Sequence, residues 1–358
     1  MTAIAPMSQT YSEARAAFLS AAAAAGARVG RFVHPLTGPE DEELSIDVAE
    51  VGPVDAERVV LIVSGTHGVE GYCGSALQRH WLEHHAAERP DDVAVVLVHA
   101  LNPFGFAWVR RVNEDNVDVN RNFVDWDAPL PLNEGYEQLA EFMVPEDWSR
   151  DSQDRTSARL FELGDEMGFD AFAAAVSAGQ FLHPTGVFYG GTGPVWSHRW
   201  LREWSAERLS GVQRLAIIDL HTGLGPWGHG ELITSEPSDS DAYRRSVEWW
   251  GQVASTAEGD SVSARLDGDW LAVAHEFRPG TEVTAIAIEY GVIDSISVAQ
   301  ALRADAWLHA HGDPLGPEAA QIRETTRAAF ADDDPAWMDL VWPRFQDTLD
   351  RAMRGIAC

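Results

Sequence analysis

Three strongly apolar runs constrain this chain more than any other feature, because all three stop in the same way. Val59–Val63 leads into Ser64-Gly65-Thr66-His67-Gly68-Val69-Glu70-Gly71. Leu215-Ala216-Ile217-Ile218-Asp219-Leu220 leads into His221-Thr222-Gly223. Val283–Ile288 leads into Glu289-Tyr290-Gly291. Such runs read as buried strands, and the glycines let the backbone turn sharply where they end. After the first run, Leu77, Trp81 and Leu82 have helical spacing within 75–88, and Val93–His99 is a further apolar strand. Strand, helix and strand in so few residues predict a βαβ unit and a parallel sheet. The active side chains then lie along one sheet edge, where ligands of open α/β folds bind.

The remaining segments fit one α/β domain over 1–358. Helices are expected over 11–25, 196–208, 241–254, 297–311, 317–330 and 339–354, and strands within 30–51 and over 231–234. Around 128–210 lies an insertion of helices and a Gly-aromatic loop, Phe188-Tyr189-Gly190-Gly191. The stretch 104–127 has no apolar period. It is dense in Arg and Asn, from Arg110-Arg111 to Asn120-Arg121-Asn122. Between core elements such a stretch is either a solvated loop or part of a site.

Charge narrows the partners. The formal net charge is -30 and every Lys or Arg position is Arg. A surface this acidic repels phosphate, which excludes nucleic acid as a partner, and the lack of lysine excludes Schiff-base and P-loop chemistry. Two cysteines, Cys73 and Cys358, make no disulfide framework and suit a reducing compartment. The Ala-rich stretch 16–25 lacks a basic leader and reads as helix rather than signal peptide. No apolar run is long enough to span a bilayer, so a soluble, cytoplasmic protein without a membrane partner is expected.

His67, Glu70, His221 and Glu289 are far apart in sequence, yet a parallel sheet brings them to one place. Two imidazoles and a carboxylate can hold zinc and leave a fourth position open. Zinc polarises a carbonyl and lowers the pKa of water. A further carboxylate can take the water's proton and pass it to a leaving nitrogen. Arginine can oppose an oxyanion or hold a substrate carboxylate in two-point fashion.

With these residues in view the chain resembles the zinc carboxypeptidase (funnelin) family. The resemblance rests on His67-Gly68-Val69-Glu70, Arg110-Arg111, Val117-Asp118-Val119-Asn120-Arg121-Asn122, Asp219-Leu220-His221 and Glu289, in that order from Gly65 to Gly291. Gly68-Val69-Glu70-Gly71 and Phe188-Tyr189-Gly190-Gly191 look most like a bacterial branch of that family. The resemblance implies a three-layer α/β/α fold with a mixed, largely parallel central sheet. It implies one zinc per chain on His67, Glu70 and His221, and Glu289 as general base and then acid. It implies Arg110 or Arg111 as oxyanion stabiliser, Arg110 being slightly favoured, and Asn120 and Arg121 as binders of a terminal carboxylate. Tyr189 joins them as a substrate-binding candidate, with Tyr243 and Tyr290 as the other tyrosines weighed.

The expected reaction is hydrolysis of an amide next to a free carboxylate, on a small peptide. The alternative is an N-acyl amino acid deacylase of the aspartoacylase type, and a further one is a binding protein without catalysis. Gly71-Tyr72-Cys73-Gly74-Ser75 also resembles a nucleophile elbow with a thiol, lacking its final glycine. Asp219 is a candidate for orienting a metal ligand.

Overall fold

Side chains along the first apolar run alternate between two hydrophobic cores. Val60 and Ile62 enter one, and Val59, Leu61 and Val63 enter the other. This period of two on a strand buried on both faces means that helices cover both sides of the sheet. The computed structural model describes residues 4–358. Its strands are β1 (Arg28–Thr37), β2 (Glu43–Val51), β3 (Arg58–Ser64), β4 (Val93–His99), β5 (Arg214–Trp227), β6 (Gly230–Thr234), β7 (Ala254–Ser255) and β8 (Glu282–Gly291). They form one sheet in the order β1-β2-β4-β3-β5-β8-β6-β7. The central strands β4, β3, β5 and β8 are parallel. β1 and β2 join on one flank as antiparallel strands, and β6 runs antiparallel to β8 on the other. The sheet is therefore mixed with a parallel centre.

The helices are α1 (Tyr11–Ala24), α2 (Gly71–His84), α3 (Pro103–Trp108), α4 (Glu134–Met143), α5 (Arg150–Met167) and α6 (Phe169–Ser177). They continue with α7 (Trp196–Arg208), α8 (Asp241–Trp250), α9 (Ala274–Phe277), α10 (Ser295–Ala310), α11 (Ala319–Phe330) and α12 (Pro335–Ala357). Phe18 of α1, Leu77 and Trp81 of α2, and Trp337 and Phe345 of α12 pack into one core. Trp200, Leu201 and Trp204 of α7 and Phe277 of α9 pack into the other. The result is the three-layer α/β/α arrangement. Among the described residues no helix is long and apolar enough to cross a membrane.

The helix boundaries differ from the sequence reading where glycine and caps matter. α2 begins at Gly71, four residues before the apolar spacing starts. Its first turn lies on the end of β3, and a Cβ on Gly74 would stand 2.5 Å from the Ser64 Cβ. Small residues, not apolar ones, are needed there, so periodicity does not reveal the turn. α12 begins at Pro335, with Asp334 accepting from the Ala336 N–H, again ahead of the first apolar repeat. α3 lies inside the supposed loop 104–127, capped by Asn102 with Pro103 in its first turn.

Candidate metal centre and active site

β3 ends at Ser64, and Gly65 then takes a left-handed φ of +62°, which turns the chain across the sheet edge. His67 follows in extended geometry, and a short 3-10 turn, residues 68–70, carries Glu70 back beneath it. Strand register supplies the rest. Ser64 stands opposite Leu220 on β5, and His221 stands opposite Glu289 on β8. His67, Glu70 and His221 are all buried. Their donor atoms lie within 4.8 Å of one another. His67 Nδ1 is 2.9 Å from Glu70 Oε1, His221 Nδ1 is 3.0 Å from Glu70 Oε2, and the two Nδ1 atoms are 3.2 Å apart. Donors about 2.1 Å from one tetrahedral ion stand roughly 3.4 Å apart, so these separations suit a single small cation.

The other ring nitrogens point outward to buried carboxylates. His221 Nε2 is 2.7 Å from Asp219 Oδ2, and His67 Nε2 is 3.1 Å from Asp118 Oδ1. Asp219 is itself held by the Thr66 hydroxyl and the Trp270 indole N–H. A carboxylate behind an imidazole draws the proton to Nε2 and leaves a lone pair on Nδ1. Two such lone pairs and a carboxylate repel one another unless a cation or a proton lies between them. His67 Nε2 also lies 2.8 Å from Arg111 Nη2, a contact that suits only the opposite tautomer. With both imidazoles neutral, as metal binding requires, Glu70, Asp118 and Asp219 against Arg111 and Arg121 leave a negative charge in excess, which fits a cation.

The titration behaviour follows the same charges. Burial opposes ionisation of Glu70, but His67, His221 and Arg111 outweigh it and lower its pKa. Burial likewise opposes a charged His221, but Asp219 and Glu70 raise its pKa well above the ordinary value. Glu289 behaves in the opposite way. Burial, reinforced by the Glu70 charge, pushes its pKa up to about 7. Its side chain is half-buried at the cavity wall, and Oε1 accepts the Leu224 N–H at 2.9 Å.

Neighbouring arginines separate cleanly, and Arg110 is a correction to the sequence reading. Arg111 reaches Glu70 Oε1 at 2.9 Å and Asp118 Oδ2 at 3.0 Å and lines the cavity. Arg110 turns the other way, into a buried pair with Asp305 at 3.0 Å, and also donates to Asn116. Val109, at φ +58°, ends α3, so the alternation around it could not be read from sequence. Asn120 and Arg121 both line the cavity. Asn120 Oδ1 accepts the Trp270 N–H, and Arg121 donates to Ser177 O and Asn120 O while its guanidinium lies over the Phe188 ring.

Tyr189 is the second correction. It is buried against Val117 and Val195, away from the cavity, because Phe188 adopts φ +54° and takes the wall position instead. Phe188 contacts both Arg111 and Arg121 through its ring face. Tyr290 and Tyr243 do not line the cavity either. Cys73 is buried in the α2 core and burial pushes its thiol pKa up, which removes the thiol-nucleophile reading. Sequence reasoning passed over Asp118 and Trp270. Asp118 stood in view within the Val-Asp-x-Asn-Arg-Asn motif, whereas Trp270 carries no local signal. A second donor group, His80, Glu83 and His84, lies on α2 outside the cavity, with Glu83 and His84 exposed.

The cavity over this centre has a volume of about 590 Å³. Its wall runs from His67, His221 and Glu289 to Leu160, Phe172 and Val176 of the helical insertion.

Several solved structures match the chain at low identity. An aspartoacylase family protein from Mesorhizobium loti is 17% identical, with 84% of this chain and 66% of that chain covered and a TM-score of 0.38. This chain thus spans just under two thirds of that protein. Carboxypeptidase A from Helicoverpa armigera is 13% identical, with 90% and 74% covered and a TM-score of 0.48. Succinylglutamate desuccinylase from Chromobacterium violaceum is 13% identical, with 84% and 74% covered and a TM-score of 0.37. No curated protein sequence matches the chain. A family model described as a protein of unknown function, DUF2817, matches residues 7–344, and the chain belongs to that family.

Proposed function

We propose that this protein is a zinc-dependent hydrolase that cleaves an amide bond next to a free carboxylate. One observation carries the reading: His67 and His221 turn Nδ1 toward Glu70 while Nε2 faces a buried aspartate in each case. That is the arrangement of metal-ligating histidines with carboxylates behind them. His67, Glu70 and His221 would hold one zinc per chain. Zinc there would act as a Lewis acid toward water and the amide carbonyl.

The chain's own groups supply the remaining chemistry. Glu289, at the cavity wall beside the proposed ligands, takes a proton from the attacking water and delivers it to the leaving nitrogen. Arg111 opposes the charge that develops on the carbonyl oxygen. Arg121 and Asn120 orient the substrate's free carboxylate, with Phe188 packed on the guanidinium of Arg121 to hold its plane. Asp219 fixes the imidazole tautomer of His221, and Asp118 stands behind His67.

Small peptides and N-acyl amino acids both contain such an amide. The breadth of the apolar wall favours the N-acyl reading as the second one, since a terminal dipeptide would leave much of it uncovered. The deciding experiment is a screen of short peptides against N-acyl amino acids, with and without a chelator, together with metal analysis of protein purified without added metal. About one zinc per chain and chelator-sensitive cleavage are expected. Full activity in metal-free protein would sink the reading.

A further inference from the structure

We propose that the helical insertion makes this site selective for N-acyl amino acids with medium or long acyl chains, the chain lying in an apolar channel between α5–α6 and α10. This rests on the amide-hydrolase reading above and names its substrate class. A cavity of about 590 Å³ is the room of a drug-sized ligand, more than an acetyl group or a single side chain fills. The polar groups His67, Arg111 and Glu289, buried or half-buried, line it. Its apolar lining runs from the buried Leu160 and half-buried Phe172 to the exposed Phe161, Phe169 and Ile296.

The outer residues are unusual in their exposure. Phe169 is 79% exposed, Phe161 56% and Ile296 53%. Single exposed apolar side chains are ordinary. Together with Val262, four such side chains border one cavity, itself continuous with the candidate catalytic groups, and form a patch that a ligand would cover. The channel is thus open-ended. A closed pocket measures one side chain, whereas an open channel accepts chains of varying length.

Helix geometry decides between an acyl chain and a peptide. Walls made of α5, α6 and α10 have their backbone N–H and C=O groups bonded within the helices. Ser157, Gln300 and Arg303 on these walls already bond one another, so a peptide in this channel would bury amides with few free partners, at a cost for every residue. A hydrocarbon chain carries no such groups. In the reaction, water adds to the acyl carbon and the C–N bond breaks. The acyl group leaves as a fatty carboxylate and the amino acid leaves with its amine protonated through Glu289, with no redox partner required.

The test measures binding apart from turnover. N-acetyl-, N-octanoyl- and N-lauroyl-alanine, kept below micelle concentration, are titrated calorimetrically into the zinc-loaded Glu289→Gln variant. The same series is assayed for hydrolysis with the wild-type protein. Affinity should rise with chain length, by up to about fourfold per methylene where the chain is fully buried. Phe169→Ser and Ile296→Ser, both exposed and of little consequence for folding, should weaken lauroyl binding several-fold and leave acetyl binding unchanged. Equal affinity across the series, or a length effect that both rim variants leave intact, would overturn the proposal. Hydrolysis of the acetyl compound with no length effect would overturn the channel and leave the hydrolase reading standing. Length-dependent, rim-sensitive binding without hydrolysis of any member would support the channel and, with the short peptides also left uncleaved, remove the hydrolase reading.

Discussion

His221 and Glu289 are register partners on the neighbouring parallel strands β5 and β8, although 68 positions separate them (289 − 221). Neither strand end carries the site alone. Register brings an imidazole that faces Glu70 beside a carboxylate whose proton affinity is raised by burial and then by the same Glu70 charge. A shift of one residue in this pairing would turn one of the two side chains to the opposite face of the sheet.

Their roles should separate on mutation. Glu289→Gln keeps shape and hydrogen bonding but cannot take a proton. Turnover of an amide substrate should fall by about 10²–10⁴ while one zinc per chain remains. His221→Ala should lose the metal. Metal analysis beside kinetics checks both, and loss of zinc from the Gln variant alone would reverse the assignment.

Arg110 and Arg111 should fail in different assays. Arg111→Ala should lower kcat by roughly 10²–10³, the usual effect of removing an oxyanion-stabilising donor. Arg110→Ala leaves Asp305 buried without its partner and should cost about 3–5 kcal/mol of stability. The double change Arg110→Met with Asp305→Leu should recover most of that stability with kcat retained. Denaturant unfolding and steady-state kinetics on the same samples test this. A large fall in kcat for the double variant would return Arg110 to the site.

Asp219→Asn and Asp118→Asn should weaken zinc binding by about 10–100-fold without removing a ligand. Competition with a chromogenic chelator measures it. Asp219 should show the larger effect, because its contact to His221 Nε2 is the shorter and among the described residues it has no arginine partner within salt-bridge distance. Unchanged affinity in both variants would mean that the carboxylates do not orient the rings.

Stability should fall in mild acid. His99 is fully buried against Phe18, and burial pushes its pKa down to about 4. The unfolded chain has an ordinary histidine near 6.5, so it binds the proton first as pH drops. Stability from this group is therefore complete above about pH 6.5 and lost progressively down to about pH 4. The loss is on the order of 2 to 3 kcal/mol by pH 4.5. His198, brought to about 4 by burial and then by Arg202, acts in the same direction. Urea unfolding at pH 7.5 and 4.5 should show a smaller drop for His99→Phe than for the wild type. An equal drop would place the acid sensitivity elsewhere.

Much of the frame is local in origin and could be read from sequence. Val59–Val63, Leu215–Ile218 and Val283–Ile288 must be buried on both faces, which demands helices on both sides. Their endings put His67, Glu70, His221 and Glu289 at one edge of the sheet, with the Gly65 turn setting where His67 and Glu70 lie on it. The Asn120-Arg121 motif also lines the cavity. Other features depend on contacts between distant segments. Which arginine faces inward followed from Asp305, 195 residues away, and from a left-handed Val109. Phe188 displaced Tyr189 through a single left-handed φ. Trp270 reached Asp219 across 51 residues. The exposed Phe161 and Phe169 had no meaning until α5 and α6 were set beside the cavity. Periodicity reports which side chains must leave water, and that choice is made over a few residues. Rotamers, tautomers and partners of buried polar groups are decided by whatever the fold brings within about 3 Å, which no local pattern encodes.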